Sequence, residues 1–477
     1  MIKTYLPLFF LLFSFVFFSQ ELDSRLIGLD DDIEELKKAY NAVGLSVVIV
    51  ENDKIIYSKG FGKRNLEEDL KMNTATLVPI ASSTKSFTAA LLGIIESNNF
   101  LYLKEKPSYY ITKLQFYNDK MNNNITIGDL LSHKSGIGNL DGSFVLFPPK
   151  SKIESIKRFK FLKPNSEIKN SFSYSNVSYG LASRVLEEVT KESWERNLKD
   201  KIFDPLNMNK TTTSISLMQK TNNYSLGYGK LGKNQSKVPY FKFGFIKPGG
   251  AIISNANEMG NWLIAWLNEG RFKNNQVIPK SFIKSATRVK NILTQNNMSS
   301  NNFLFGYGYG WFIQSLKGKY FVQHGGNTSG FSIQMAMFPF EKIGIVVLTN
   351  QMNGSAFNTI TNTIKDSYLG YEDRDWLNRY GKNNVNYLKY NDSLKASVFA
   401  KTELAKTANS LPEPSQIVGT YKDNWFGNIT ISHDGKTYSI KCERSPKLVG
   451  ELLPYNQTTY VAKWNNRSFD ADVFVNF

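Results

Sequence analysis

An α+β fold is predicted for the main part of the chain, followed by a small all-β domain. Two observations predict the first unit. Apolar, strand-like runs lie near both of its ends, and the sequence between them is mostly helical and loop-rich. A sheet built from the two chain ends, flanked by helices and a helical subdomain, satisfies that pattern. A third observation predicts the second unit: after Ser415 the chain turns to short alternating runs punctuated by Phe426-Gly427-Asn428 and Asp434-Gly435-Lys436.

Taken in order, the elements begin with a leader. Met1-Ile2-Lys3 is a short basic start, and Tyr5 to Phe18 is an apolar run broken by Pro7 and Ser14. The run is short for a membrane span of ~20 residues but suits the apolar region of a secretory signal, so residues 1–19 read as a signal peptide. Cleavage is expected near Ser19-Gln20. Phe17 fits the −3 position poorly, which leaves an uncleaved leader as the alternative. No Cys follows the run, which excludes a lipoprotein anchor. The expected location is exported, either periplasmic or secreted, with no membrane association beyond such a leader.

Asp30 to Tyr40 reads as a helix. Gly44 to Glu51 (GLSVVIVE) and Lys54 to Gly62 read as strands joined by a tight turn at Asn52-Asp53. Strand-like runs return at Tyr320–Gln323, Ser332–Phe338 and Ile343–Leu348. A charged helical connector is expected from Asp373 to Ser410, ending in Leu411-Pro412-Glu413-Pro414. The expected organisation is thus a main domain over 24–370, a helical linker over 371–411 and a small β domain over 412–477.

Composition excludes several classes. An apolar share of 41%, with 14% aromatic residues overall, supplies enough material for a sizeable core. A single Cys cannot form an internal disulfide. His133, His324 and His433 are far apart, and neither HExxH nor paired CxxC occurs, so no metal is expected. No GxxxxGK[ST] loop is present, and no nucleotide cofactor is expected either. The net charge of +17 is spread along the chain and reads as a solvated basic surface. Nucleic acid is not an expected partner.

Three motifs carry chemistry. Ser82-Ser83-Thr84-Lys85 is an S-x-x-K. Alone it selects nothing, because Ser166…Lys169 and Ser281…Lys284 share the spacing. Context separates it: Ser82 follows the apolar run Leu77–Ala81 and precedes Phe87, Leu91, Ile94 and Ile95 at helical spacing. That places Ser82 in the first turn of a buried helix, with Lys85 on the same face. A lysine amine can take the serine proton only when neutral, a state that burial favours. Tyr174-Ser175-Asn176 is the only Y-x-N in the chain. Its phenol can shuttle a proton, and its amide can both donate to and accept from a substrate. His324-Gly325-Gly326-Asn327 ends a strand-like run, where glycines let a substrate backbone approach and expose an amide to its carbonyl oxygen. His324 is expected to line the cleft.

In this order the motifs resemble the serine β-lactamase and penicillin-binding protein superfamily, most of all its class C β-lactamase-related branch. The block Ile125-Thr126-Ile127-Gly128-Asp129-Leu130-Leu131-Ser132-His133-Lys134-Ser135-Gly136 fits that branch, as do Pro248-Gly249-Gly250 and Tyr307-Gly308-Tyr309-Gly310-Trp311. The likeness covers roughly residues 30 to 370. It implies a β-lactamase/transpeptidase-like fold, Ser82 as the acylated nucleophile and Lys85 with Tyr174 as the proton carriers. It also implies Asn176, His324, Gly325, Gly326 and Asn327 as substrate contacts, with an oxyanion hole from the amides of Ser82 and Asn327. His324 stands where many members carry Lys, which weakens the expectation of a substrate carboxylate. For His133 a structural role is expected: Thr126 and Asp129 read as a capping box and Gly136 as the helix stop. The tail, with Gly419-Thr420-Tyr421 and Asp423-Asn424-Trp425-Phe426-Gly427, resembles the lipocalin-like domain appended to such hydrolases.

The implied activity is hydrolysis of an ester, amide or β-lactam in a small-molecule or peptide substrate, cell-wall peptide included, through an acyl-enzyme. The competing reading is a catalytically silent protein that binds cell-wall peptide or a partner. Retention of Ser82, Lys85, Tyr174 and Asn176 together argues for the enzyme.

Overall fold

Residue Gly44 begins a strand that is buried from its first residue to its seventh, and the rest of the main domain is arranged around it. The computed structural model describes residues 23–477 apart from 139–140, 232–233, 294–297, 299–301, 353, 372–375, 407–410 and 468–471. The expected leader, residues 1–19, lies outside the described residues.

The main sheet contains β1 (Gly44–Glu51), β2 (Lys54–Asn65), β3 (Leu70–Lys71), β4 (Asn291–Ile292), β5 (Phe305–Tyr307), β6 (Phe312–Leu316), β7 (Lys319–Thr328), β8 (Phe331–Phe338) and β9 (Ile343–Thr349). Its order is β4-β5-β6-β7-β8-β9-β1-β2-β3, antiparallel throughout. The two ends of the domain meet at its centre, where Leu45 pairs with Thr349 and Glu51 with Ile343. The turn between β1 and β2 falls at Asn52-Asp53, with Asn52 in the left-handed region at φ 57°, a conformation asparagine tolerates.

Six helices matter for the site and its support: α1 (Leu29–Ala39), α2 (Thr84–Ser97), α3 (Asn176–Thr190), α4 (Ala256–Leu267), α5 (Gly354–Leu369) and α6 (Trp376–Ala405). Side chains alternate across a strand, and β1 shows the consequence. Leu45, Val47 and Ile49 pack with Ile33 of α1 and Ile360 of α5 on one face. Val48 and Val50 point to the other, into a larger core shared with α2, α3 and α4. A run apolar at nearly every position, with Ser46 a buried exception, suits a strand covered on both faces.

The tail forms a separate antiparallel sheet of six strands in sequence order, β10 (Gly419–Asp423), β11 (Gly427–His433), β12 (Tyr438–Cys442), β13 (Val449–Pro454), β14 (Thr459–Trp464) and β15 (Val473–Asn476). Ile431, Ile440, Leu452, Tyr460 and Trp464 fill its core beside Cys442. Burial pushes the Cys442 thiol up to about 11, as for a small apolar filler. The connector is helical over α6, whose Lys401 Nζ donates to Tyr455 Oη of the tail at 3.3 Å. Among the described residues no helix is long and apolar enough to cross a membrane.

Helix α2 is fastened to α4 by a stack of Phe87 on Trp262, with centroids 3.8 Å apart and both rings fully buried. Phe87→Ala should destabilise the protein by about 3–5 kcal/mol, read as a lowered urea midpoint. Phe87→Leu, which keeps most of the volume, should cost less than half as much.

Candidate active site

The chain reaches Ser82 from a two-residue strand, Val78–Pro79, paired with Ile253–Ser254. Ala81 then adopts a left-handed φ of 47°, costly for a residue with a Cβ, and a 3₁₀ turn over Ala81–Ser83 leads into α2. Ser82 therefore sits just ahead of the helix, not in its first turn. Three bonds hold this turn. Ile80 N donates to Ile252 O at 2.8 Å, Ile252 N to Thr84 Oγ1 at 3.1 Å, and Ser83 Oγ to His324 O at 3.2 Å. Strand β7 lies against it backbone to backbone. A Cβ on Gly326 would come within 2.5 Å of Ile80 O and 2.8 Å of Ser82 N. Only glycine permits that approach.

Lys85 follows one turn later, fully buried. Its Nζ donates to Ser82 Oγ at 3.3 Å, to Gly249 O at 2.7 Å and to Asn176 Oδ1. It also lies over the ring of Tyr174 at 4.7 Å and that of Tyr179 at 5.4 Å. Three acceptors match the three protons of an ammonium. With Gly249 O and Asn176 Oδ1 still accepting, a neutral amine would turn its lone pair toward Ser82.

The Tyr174-Ser175-Asn176 segment is an extended approach to α3, with Ser175 as N-cap accepting from Ser178 N at 3.1 Å. His133 grips it at two points: Ser173 N donates to His133 O at 2.9 Å and Ser175 N to His133 Nδ1 at 3.1 Å. The expected capping box of Thr126 and Asp129 is present. The helix it opens, Ile127–Leu131, stops sooner than expected, because His133 itself adopts a φ of 58°, three residues before Gly136. That reversal turns the imidazole back onto Tyr174, with ring centroids 4.4 Å apart.

The HGGN segment divides. Gly326 faces the turn that carries Ser82. Gly325 faces the other side of the sheet, where a Cβ would meet Gln334 Oε1 at 2.7 Å. Asn327 is exposed, and its Oδ1 accepts from Ser332 Oγ at 2.7 Å. His324 shares a face with Gly326 but does not line the cleft as expected: it is 1% exposed. Its Nδ1 lies 2.7 Å from Gly325 O, so that nitrogen carries the proton, and Nε2 accepts from Tyr307 Oη at 3.0 Å. Burial, then the Lys85 charge, lowers its pKa to about 3. His133 is held well below its usual range first by burial and then by the same lysine. The site is thus a cationic or neutral lysine backed by two neutral imidazoles and the rings of Tyr174, Tyr179 and Tyr307.

Beside it opens a cleft of about 580 Å³. Its lining includes Pro79, three residues before Ser82, Ala251, two after Gly249, and Thr328, one after Asn327. Aromatic side chains supply much of the remaining wall, with Tyr240, Phe241, Phe243 and Phe331 among them. Among the described residues no cluster suited to a metal occurs.

Ser82, Lys85, Tyr174 and Asn176 therefore converge from one loop–helix junction and another. Sequence reasoning singled out Pro248-Gly249-Gly250 and Tyr307–Trp311 without a role for either. The first supplies the carbonyl that holds Lys85, and the second the phenol that closes off His324.

Fold and site together define a serine hydrolase-like protein. The chain belongs to the Beta-lactamase family, whose model matches residues 29–368. A second family, described as a domain of unknown function (DUF3471), matches residues 405–477. Protein flp of Staphylococcus aureus (strain MW2) is 26% identical over 329 residues, which cover 68% of this chain and 62% of flp. The chain thus spans less than two thirds of that relative's length. Unguisins hydrolase ungD of Aspergillus violaceofuscus is 26% identical over 389 residues, 75% of this chain and 68% of ungD. The solved structure of the octameric penicillin-binding protein homologue from Pyrococcus abyssi has the same fold, with a TM-score of 0.65 at 21% identity, covering 95% of this chain and 96% of that one.

The buried imidazoles make stability depend on pH. In the unfolded chain a histidine binds a proton below about 6.5, whereas folded His324 stays neutral down to about 3. The unfolded state therefore binds more protons in this window, and stability falls as pH falls. Unfolding free energies from urea titrations at pH 7, 6 and 5 should decline toward acid. His324→Gln should flatten the slope, by up to about 1.4 kcal/mol per pH unit.

Proposed function

We propose that this protein is an exported serine hydrolase that cleaves an ester, amide or β-lactam bond through an acyl-enzyme on Ser82. The observation that carries the reading is the donor set of Lys85, with Ser82 Oγ at 3.3 Å and its other acceptors supplied by Gly249 O and Asn176 Oδ1. In the acylation step the Lys85 amine takes the Ser82 hydroxyl proton as Oγ bonds to the acyl carbon, and the carbonyl electron pair moves onto oxygen. The amides of Ser82 and Asn327 receive that oxyanion. Collapse breaks the bond to the leaving group, which takes back the proton held between Lys85 and Tyr174. Water then cleaves the acyl-serine by the same relay in reverse, with the acid leaving and Ser82 regaining its proton. Asn176 steadies Lys85 and offers its amide to the substrate.

Two features shape the substrate. A neutral, enclosed His324 supplies no cation where many relatives of this site carry Lys, so a carboxylate at that position gains nothing from it. The aromatic wall of the neighbouring cleft favours a substrate with a substantial apolar group. Export rests on the leader, and cell-wall peptide is one substrate class consistent with that location.

The deciding experiment is mass spectrometry of the protein after incubation with a fluorescent penicillin and, separately, a fluorophosphonate. An adduct on the Ser82 peptide, absent in Ser82→Ala, is expected with at least one probe. Penicillin labelling assigns a β-lactam-like or cell-wall substrate, and fluorophosphonate labelling alone assigns an esterase or amidase. Labelling by neither would give the case to a silent binding protein. Lys85→Ala should slow acylation by about 10²–10⁴-fold with the fold intact by circular dichroism. Among p-nitrophenyl esters, hexanoate should be preferred to acetate. Phe241→Ala should lower kcat/KM for hexanoate by ~10-fold, a loss of apolar contact, and leave acetate unchanged.

A further inference from the structure

The tail and the main domain exchange aromatic side chains. Trp425, from the turn between β10 and β11, is 6% exposed and belongs to the large core of the main domain. Phe147, at the end of the short helix Asp141–Leu146, belongs in turn to the core of the tail. Trp425 meets the edge of Phe144 at 4.8 Å, and Phe147 meets Phe426 at 4.8 Å. The guanidinium of Arg158 lies over the Trp425 ring at 5.3 Å. Around them Glu154 ties the units together, accepting from Arg158 at 2.9 Å and from Arg444 of the tail at 2.8 Å.

From this contact a packed path runs to the catalytic lysine. Phe144, fully buried, stacks on Phe245 at 5.0 Å. Phe245 lies in the 3₁₀ turn Gly244–Gly249 and presses on α3 so closely that a Cβ on Gly180 would sit 2.7 Å from its ring. The last two carbonyls of that turn face α2. Pro248 O accepts from Thr88 Oγ1 at 2.7 Å, and Gly249 O accepts from Lys85 Nζ at 2.7 Å. The other side of the turn, with Phe243, Gly244 and Lys247, walls the cleft. Two aromatic rings, Phe144 and Phe245, thus separate Trp425 of the tail from a backbone acceptor of the catalytic lysine.

We infer that Trp425 is a positioning residue: through Phe144 and Phe245 the C-terminal domain clamps the Gly244–Gly249 turn and so fixes the carbonyl that orients Lys85. The catalytic part of this inference rests on the proposed hydrolase reading, whereas the mechanical part does not. The Trp425 backbone is well placed for the task, since its N–H is anchored to Asp423 Oδ1 at 2.6 Å. Its indole N–H is buried with no acceptor among the described residues. The ring therefore acts by shape, and phenylalanine can stand in for it.

The test uses the full chain in four forms: wild type, Trp425→Ala, Trp425→Phe and Phe144→Leu, the last altering the path without touching the tail. Two quantities are read, the rate of fluorophosphonate acylation at Ser82 and amide hydrogen exchange resolved by segment. Trp425→Ala should speed exchange over residues 244–250 by about tenfold or more while the central strands β1 and β9 exchange as in wild type. It should slow acylation by about 10- to 100-fold, the size expected when a catalytic group is misplaced by about 1 Å. Trp425→Phe should restore both to within about threefold, and Phe144→Leu should loosen the same turn. Unchanged exchange at 244–250 in Trp425→Ala overturns the inference. So does acceleration spread evenly over the sheet, which would mean general destabilisation. If the wild type takes no label while exchange responds as described, the hydrolase reading falls and the clamp stands.

Discussion

A lysine with no exposed surface must have its ammonium satisfied inside the protein, and that constraint organises this molecule. Lys85 collects acceptors from three segments that are distant in sequence: Ser82 on its own helix entry, Asn176 at the start of α3, and Gly249 at the end of a 3₁₀ turn. Each segment is in turn fixed by its own packing. Phe87 on Trp262 seats α2, His133 grips the approach to α3, and Phe245 wedges the turn against Gly180. A buried donor left without its acceptor costs about 1–3 kcal/mol or more. The lysine and its three anchors therefore stabilise one another's positions, and the bonds that satisfy its burial also hold its Nζ 3.3 Å from Ser82 Oγ.

The electrostatics around the lysine follow from what surrounds it. Two imidazoles lie near enough to feel its charge, and both are held neutral by burial and by that charge. Their tautomers are set by opposite partners. His133 accepts from a backbone N–H through Nδ1, so its proton lies on Nε2, whereas His324 donates through Nδ1 and accepts from Tyr307 through Nε2. Neither is free to serve as a second cation. Any positive charge in the site therefore belongs to Lys85, whose Nζ lies 3.3 Å from Ser82 Oγ.

Much of this was legible in the sequence. The runs GLSVVIVE and Ile343–Leu348 are apolar at nearly every position, which marks strands covered on both faces, and they form the centre of the sheet. Ser82, Lys85, Tyr174 and Asn176 stood out by spacing and flanking pattern, and the fold brings them together. What escaped detection has no side-chain signature. The Gly249 carbonyl is a backbone acceptor, common to every residue type. His324 was expected in the cleft because residue type says nothing of which neighbour closes over it, here Tyr307 from another strand. The early helix stop at His133 depends on a left-handed conformation that histidine adopts far less readily than Gly136. Trp425 reaches a core formed nearly 300 residues earlier in the chain, a relation no local pattern encodes.

The pairing of β1 with β9 joins Leu45 to Thr349 across roughly 300 residues of sequence. During vectorial synthesis the central strand is made first, yet its partner emerges only after the whole helical region. Until then β1 has one hydrogen-bonding edge unfilled and two apolar faces uncovered. Closing so long a loop is slow, so the centre of the sheet is completed only once nearly the whole main domain has been made.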